Sequence, residues 1–464
     1  MADSQTGISS ADERFLRILV GHDEAVLTAY ATRPSRWIHI TQAYATRSRI
    51  RNLAAFVRFL FRIFVGMLAP GEQSADVVWS EYFTNLERTR GAFLRRFLPD
   101  FRVDFVGVES RPVRVPRGTR MAGMLWGLLQ LILSRESTRP GVLGCRYVHV
   151  AEYCLTVLGH AYRTTTKQAY LCRIYQDHVP ALAAFLRAHG VGVHLVTNTG
   201  PLQPAELSIP ADSMKLTHPF QVYYAMQFSD PVAVERLDLW GPMELSQMDT
   251  AYRGRLRDGP SDVVAVYTQG YWLRLQQGTL KEPALVEYAR VEDELMQAML
   301  QYLELHPDVS VVVFLHPMEK RHFASTSELG PWRLLEHPRA TCVTSLQQHS
   351  NEAFDRARVG VTTFSTVGYD RTYMGFPTVF YRGNVTAAED QVESPFSALF
   401  VRRADELFTS IDAMRAVPAE QFMLETFGGP LAAWKPNTVT AGELAHFRSS
   451  RTAQRSGCQS GEET

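Results

Sequence analysis

The chemistry-bearing residues of this 464-residue chain concentrate between Val311 and Gly383, where two polar corners each follow an apolar run. The run Val311-Val312-Val313-Phe314-Leu315 leads straight into His316-Pro317. A second run, Val359–Phe364, leads into Ser365-Thr366, a helical stretch to Gly375, and a further apolar run, Pro377–Tyr381. Hydroxyls and backbone N–H groups at a helix N-terminus seat a phosphate, and an imidazole one strand away can donate to the same anion. Ser365 and Thr366 are equally good N-caps, a role compatible with ligation at an open cleft. Glu319 and Lys320, one turn past His316, reach ribose or phosphate or form a solvated charge pair. Asp370 holds a sugar or base hydroxyl, or complements the helix dipole. Together the corners point to a nucleotide donor rather than to a metal or a nucleic acid.

Thr268-Gln269-Gly270 closes an earlier run, Val263–Tyr267, and its glycine lets backbone approach a ligand closely. Arg274, four residues on, is either the counter-charge to a departing phosphate or a surface arginine. His-Pro recurs at His218, His306 and His337, so the dipeptide alone says little; only His316 follows an unbroken strand-type run. No paired acids stand at metal-ligand spacing, and Asp212 and Asp238 are single. Neither a metal nor another cofactor is therefore expected, and side chains and helix termini would neutralise the leaving group.

The stretch Val263–Tyr381 resembles the C-terminal domain of GT-B glycosyltransferases that carry an HP motif followed by an SS/ST motif. Bacterial sialyltransferase and polysialyltransferase-like enzymes share that pattern, as do the CDP-glycerol glycerophosphotransferases, whose hydroxyl pair and later acid look like Ser365-Thr366 and Asp370. The upstream acidic motif of the sialyltransferases has no good copy, because Asp258-Gly259 sits in an Arg-rich linker. The resemblance implies an α/β GT-B fold, with two Rossmann-like domains facing a central cleft and extra N-terminal helices. It implies a metal-independent inverting glycosyltransferase, with a CMP-activated acidic sugar favoured as donor and a bacterial surface glycan or lipid-linked glycan as acceptor. A CDP-activated polyol-phosphate transferase and a non-catalytic nucleotide-sugar binding protein are the alternatives. Direct inverting transfer needs a carboxylate or imidazole at the acceptor hydroxyl. Asp177 and His178, after the strand expected at Gln168–Tyr175, are the candidates for that base; each is otherwise a helix-start residue, and His39 is a weaker choice.

Strand, polar corner, helix, strand is the grammar of a parallel sheet. The same grammar runs through Gln168–Tyr175, Val179–Ala188 and Val191–Thr197, so the N-terminal half is expected to carry a sheet of its own. The expected division is an acceptor-side domain over 1–240, a linker over 241–262, a donor-binding domain over 263–447 and a disordered tail over 448–464.

Lys and Arg balance Asp and Glu at 48 each, which weighs against a nucleic-acid partner. The five cysteines form no Cys-x-x-Cys pair, which fits a reducing, cytoplasmic compartment. Met1–Glu13 lacks the apolar core of a signal peptide. Leu53–Leu68 and Met121–Leu133 are too charged or too short to span a bilayer. The first reads as a core helix or as a peripheral helix on the inner face of the cytoplasmic membrane. In the second case Arg58 and Arg62 would face headgroups, with Phe56, Phe59 and Ile63 in the acyl region.

Overall fold

The computed structural model describes residues 49–68, 76–81, 98–107, 120–133, 167–172, 179–188, 190–197, 202, 204–207, 209–227, 234–242, 244–252, 258–277, 283–385, 392, 394–429 and 438–440. Its first half contains α1 (Arg49–Leu68), β1 (Val77–Glu81), β2 (Val103–Gly107), α2 (Arg120–Leu133), β3 (Gln168–Cys172), α3 (Val179–Ala188), β4 (Gly192–Val196), α4 (Pro204–Leu207), β5 (Ser213–Leu216), α5 (Pro219–Gln227), β6 (Arg236–Leu239) and α6 (Leu245–Tyr252). The second half contains β7 (Val263–Tyr267), α7 (Tyr271–Gln276), α8 (Pro283–Leu305), β8 (Ser310–Phe314), α9 (Pro317–Thr326), β9 (Ala340–Val343), β10 (Val359–Thr362), α10 (Thr366–Tyr373), β11 (Thr378–Tyr381), β12 (Phe400–Val401), α11 (Ala404–Ala416), α12 (Ala419–Phe427) and β13 (Thr438–Thr440).

Two sheets result, in the orders β13-β6-β5-β4-β3-β1-β2 and β12-β11-β10-β7-β8-β9. Every pairing is parallel except β13 with β6. This is the α/β architecture of two Rossmann-like sheets that the resemblance implied. In the second sheet β7, β8 and β10 are Val-rich and buried on both faces, as parallel strands covered by helices must be.

Some elements depart from the expected division. Residues 245–252 of the expected linker form α6, because Leu245, Met248 and Tyr252 fall on one helical face and are buried. The hydroxyl of Tyr252 accepts from the N–H of Phe354, and the two rings stack at 5.8 Å. Asp258 latches the following turn through Arg358, 2.8 Å away. Thr438–Thr440, expected in the second domain, lies antiparallel beside β6 of the first sheet.

The two sheets share apolar packing through α5. Phe220 meets Tyr369, Phe396 and Phe400, with centroids 5.8, 5.6 and 6.2 Å away. Helix α1 packs as the core-helix reading of Leu53–Leu68 expected, not with the face that the peripheral reading turned to lipid. Phe56, Phe59 and Ile63 are buried in the same cluster as Leu128 and Ile132 of α2, and so point into the protein. The expected strand around His39 and the tail over 448–464 lie outside the described residues.

Candidate functional site

In the second sheet β8 and β9 lie on one side of β7, and β10 to β12 on the other. The crevice at the carboxyl ends of β7 and β10 is thus the point where strand order reverses, where ligands of open α/β sheets bind.

His316 caps α9 on the β8 side of this crevice. Its Nδ1 accepts from the N–H of Met318 at 3.2 Å, and the Glu319 carboxylate accepts from the His316 N–H at 2.9 Å. This reciprocal capping box, with proline at the first helical position, needs no residue outside the corner. Because Nδ1 is an acceptor, the neutral ring carries its proton on Nε2. None of the described residues accepts that proton. Burial, then the nearby Arg274 and Arg321, hold the His316 pKa down to about 4, so at neutral pH the ring is an uncharged donor.

Two buried acids hold the turn between β7 and α7. Glu319 accepts from Thr268 Oγ1 and Trp272 Nε1 as well as from His316. Glu292, on α8, accepts from the N–H groups of Gln269 and Tyr271, the latter at 3.0 Å. Burial, then repulsion from Glu319, push the Glu292 pKa up to about 8; Glu319 is raised as well, chiefly by burial. Gly270 completes the turn at φ +68°, the left-handed region that glycine enters without strain. Arg274 packs its guanidinium 5.6 Å from the Tyr271 ring and donates its N–H to the Gly270 carbonyl.

On the β10 side, Ser365 caps α10, its Oγ accepting from the N–H of Val367 at 3.3 Å. Thr366 is exposed and Asp370 is buried one turn on. Its neighbour Arg371 is fully buried and donates to the carbonyls of Phe354, Ala357 and Arg358.

Between the two corners, Tyr267 and Thr362 are register partners. Just beyond them, Thr363 Oγ1 and Gln269 Nε2 are buried with no hydrogen-bond partner. Roughly 90% or more of buried polar groups in proteins are paired, so two orphans on adjacent strand ends need an explanation. With His316 Nε2–H and the N-terminal N–H groups of α10 they supply hydrogen-bond donors along the neighbouring carboxyl ends of β8, β7 and β10. Such a set suits an anion rich in acceptor oxygens.

The structure therefore brings Gln269, Gly270, Arg274, His316 and Glu319 to one corner, with Ser365, Thr366 and Asp370 at the end of β10, the strand next to β7. Glu319 does not reach outward as expected, because internal donors occupy both carboxylate oxygens; it shapes the corner. Lys320 is likewise turned inward, donating to the Gln348 carbonyl at 2.6 Å. Asp177 and His178 lie outside the described residues.

Sequence reasoning missed Glu292, whose signal is an acid among the buried Val291, Leu295 and Met299 of α8. It noted His218-Pro219 but not that this pair follows β5 as His316-Pro317 follows β8. A third omission is a cavity of about 400 Å³ on one face of the first sheet, lined by Tyr170, His194, Lys215, Arg236, Asp238 and Trp240.

No protein-family model matches the chain, and no curated protein matches it. Solved structures of similar shape include a protein of Listeria monocytogenes assigned as a UDP-N-acetylglucosamine 2-epimerase. The two are 11% identical with a TM-score of 0.45, over 84% of this chain and 98% of that one. A UDP-glucosyltransferase from Polygonum tinctorium is 10% identical with a TM-score of 0.42, over 83% and 95%. The wall teichoic acid polymerase TagF is 11% identical with a TM-score of 0.39, over 88% and 97%. At these values the likeness decides nothing about activity, and the fold rests on the sheets themselves.

Proposed function

We propose that this protein is a metal-independent inverting glycosyltransferase that takes a sugar from a nucleotide-activated donor and passes it to a glycan or lipid-linked glycan. The observation that carries the reading is the crevice between β7 and β10, where Thr363 Oγ1 and Gln269 Nε2 are buried without partners. The donor's phosphate sits there, with His316 Nε2–H and the α10 N-terminus donating to it and Arg274 balancing its charge. Charge that develops on the leaving nucleotide is then met by groups already in place. A CMP-activated acidic sugar is the favoured donor, on the likeness of His316-Pro317 and Ser365-Thr366 to the HP and SS/ST pair. The base is assigned to Asp177 or His178, which come after β3 in the sequence. On this reading the enzyme works in the cytoplasm, in keeping with its scattered cysteines.

A thermal-shift screen with CMP, CDP, UDP, GDP and ADP tests the donor class. A true ligand at 100 times its dissociation constant stabilises the fold by about 2.7 kcal/mol. His316→Ala and the double change Ser365→Ala/Thr366→Ala should each weaken the nucleotide that scores by about 1.5–3 kcal/mol in calorimetry. His306→Ala and His337→Ala are matched controls and should leave affinity unchanged. Unaltered affinity in both site variants would remove the reading. Hydrolysis of the activated donor without acceptor separates an enzyme from a binding protein.

A further inference from the structure

Helix α1 is apolar on two faces. One face, with Phe56, Phe59 and Ile63, is buried in the protein. On the other, Val57, Phe61 and Phe64 are 58%, 64% and 59% exposed. Leu53, Val57, Phe61 and Phe64 recur at i, i+4, i+8 and i+11, which sets them in one line along the helix. On the adjoining α2, Trp126 is 62% exposed. An exposed apolar ridge of this size on a neutral globular chain marks a binding surface.

The charges around the ridge say what binds. Across the chain Lys and Arg equal Asp and Glu at 48 each. Helices α1 and α2 depart from that balance: they carry Arg49, Arg51, Arg58, Arg62 and Arg120, and no Asp or Glu. The helical period puts Arg58 and Arg62 on the flank between the buried face and the exposed ridge. Arginines in that place can lay their stems along apolar surface and keep their guanidinium groups at the water boundary. An anionic lipid leaflet complements the basic composition of these two helices. The exposed tryptophan suits the headgroup level. Neither helix is long and apolar enough to cross a membrane, so the contact is peripheral.

We infer that α1 and α2 form a docking ridge for an anionic lipid surface. Phe61 and Phe64 enter the boundary between headgroups and acyl chains, and Arg58 and Arg62 lie against lipid phosphates. This holds whether or not the donor assignment does, because the test reads vesicle binding and not transfer.

The test is co-sedimentation of the full chain with vesicles of equal parts phosphatidylcholine and phosphatidylglycerol, beside vesicles of phosphatidylcholine alone. The wild type should partition onto the anionic vesicles and be released by raised salt. Phe61→Ser/Phe64→Ser should lower partitioning roughly 100-fold, since two phenyl rings no longer leave water. Arg58→Glu should lower it roughly tenfold, and on the anionic vesicles only. Because Phe61 and Phe64 are exposed, the double variant should unfold at the wild-type temperature, which separates lost docking from lost fold. Absence of wild-type sedimentation at low salt overturns the proposal. So does a ridge that drives self-association in light scattering, abolished by the double variant, with no vesicle binding.

Discussion

His218 and His316 cap the helices that follow two parallel strands, one in each sheet, by the same contact. The Nδ1 of His218 accepts from the N–H of Phe220 at 3.1 Å, and that of His316 accepts from Met318 at 3.2 Å. Each is followed by a proline, which supplies the fixed φ and absent N–H that suit a helix start. Their surroundings set them apart. His218 is fully buried, with Tyr369 and Phe396 edge-on at 5.3 and 5.0 Å. Both rings keep Nε2 without a hydrogen-bond partner among the described residues, but His218 is enclosed whereas His316 is half-buried beside the crevice. One corner joins the two sheets, while the other offers a hydrogen-bond donor.

That contrast predicts opposite results for one substitution. His218→Ala removes a buried ring at the junction and should cost about 2–4 kcal/mol of stability, as large-to-small core changes do. Nucleotide affinity of the folded fraction should not change. His316→Ala should lose affinity while costing far less stability. Denaturant unfolding and calorimetry on both variants check the pair, and a silent His218→Ala would mean the junction is not packed as described.

The acids under the crevice make stability depend on pH. The Glu292 pKa is raised from 4.5 to about 8. A carboxyl whose folded pKa is raised holds its proton more tightly in the fold. Its contribution is complete below the unfolded value and is lost as pH climbs through the folded one. Melting temperature should therefore fall between about pH 5 and pH 8 and level off above. Glu292→Gln keeps an acceptor oxygen for only one of the N–H groups of Gln269 and Tyr271, which lowers stability at every pH, but it has no proton to lose, so this part of the slope should vanish. An unchanged slope would show that Glu292 titrates as an ordinary carboxylate.

Strands β7, β8, β10 and β11 of the second sheet were legible because parallel strands buried on both faces read as unbroken apolar runs, whereas β9, half-exposed, and β12, two residues long, were not. Strands β5 and β6 were not, because each carries charge inside. Lys215 and Asp238 are register partners, and their side chains form an ion pair in which each neutralises the other. A charge that cancels across a sheet looks like a loop residue when either strand is read alone. That is also why His218 was not seen to end a strand. For α1 the sequence left a core and a peripheral reading open for a related reason: apolar residues occupy both sides, and periodicity cannot tell the side that packs from the side left exposed. At the site, the residues of both corners were legible by type. The work of Glu319 and Glu292 was not, since a buried acid that holds backbone N–H groups looks in sequence like any helix acid.

Chelation separates this mechanism from a metal-assisted one. Among the described residues, no group of three or more His, Cys, Asp or Glu side chains could hold a metal ion. Leaving-group charge in the proposed reaction is met instead by His316, Arg274 and the α10 N-terminus. Transfer should persist in excess EDTA. A rate that collapses in chelator and returns with magnesium or manganese would replace that account with a metal site.

Gly270 tests whether the shape of the corner, apart from any side chain, governs binding. It stands at φ +68°, and a Cβ there would lie 3.3 Å from Glu319 Cγ and 3.5 Å from His316 Nδ1. Gly270→Ala should cost about 1–2 kcal/mol of stability from the left-handed backbone alone. It should also weaken nucleotide binding, because the added methyl pushes on the acid and the imidazole that define the seat. Gly241 provides the comparison, with φ +88° and a Cβ position 2.6 Å from the Tyr373 hydroxyl, at the junction of the two sheets. Gly241→Ala should be at least as destabilising yet leave the affinity of the folded protein unchanged. Calorimetry at matched folded concentration distinguishes the two. Equal loss of affinity in both would mean that backbone strain anywhere disturbs binding, and that the Gly270 turn holds no special place beside the phosphate.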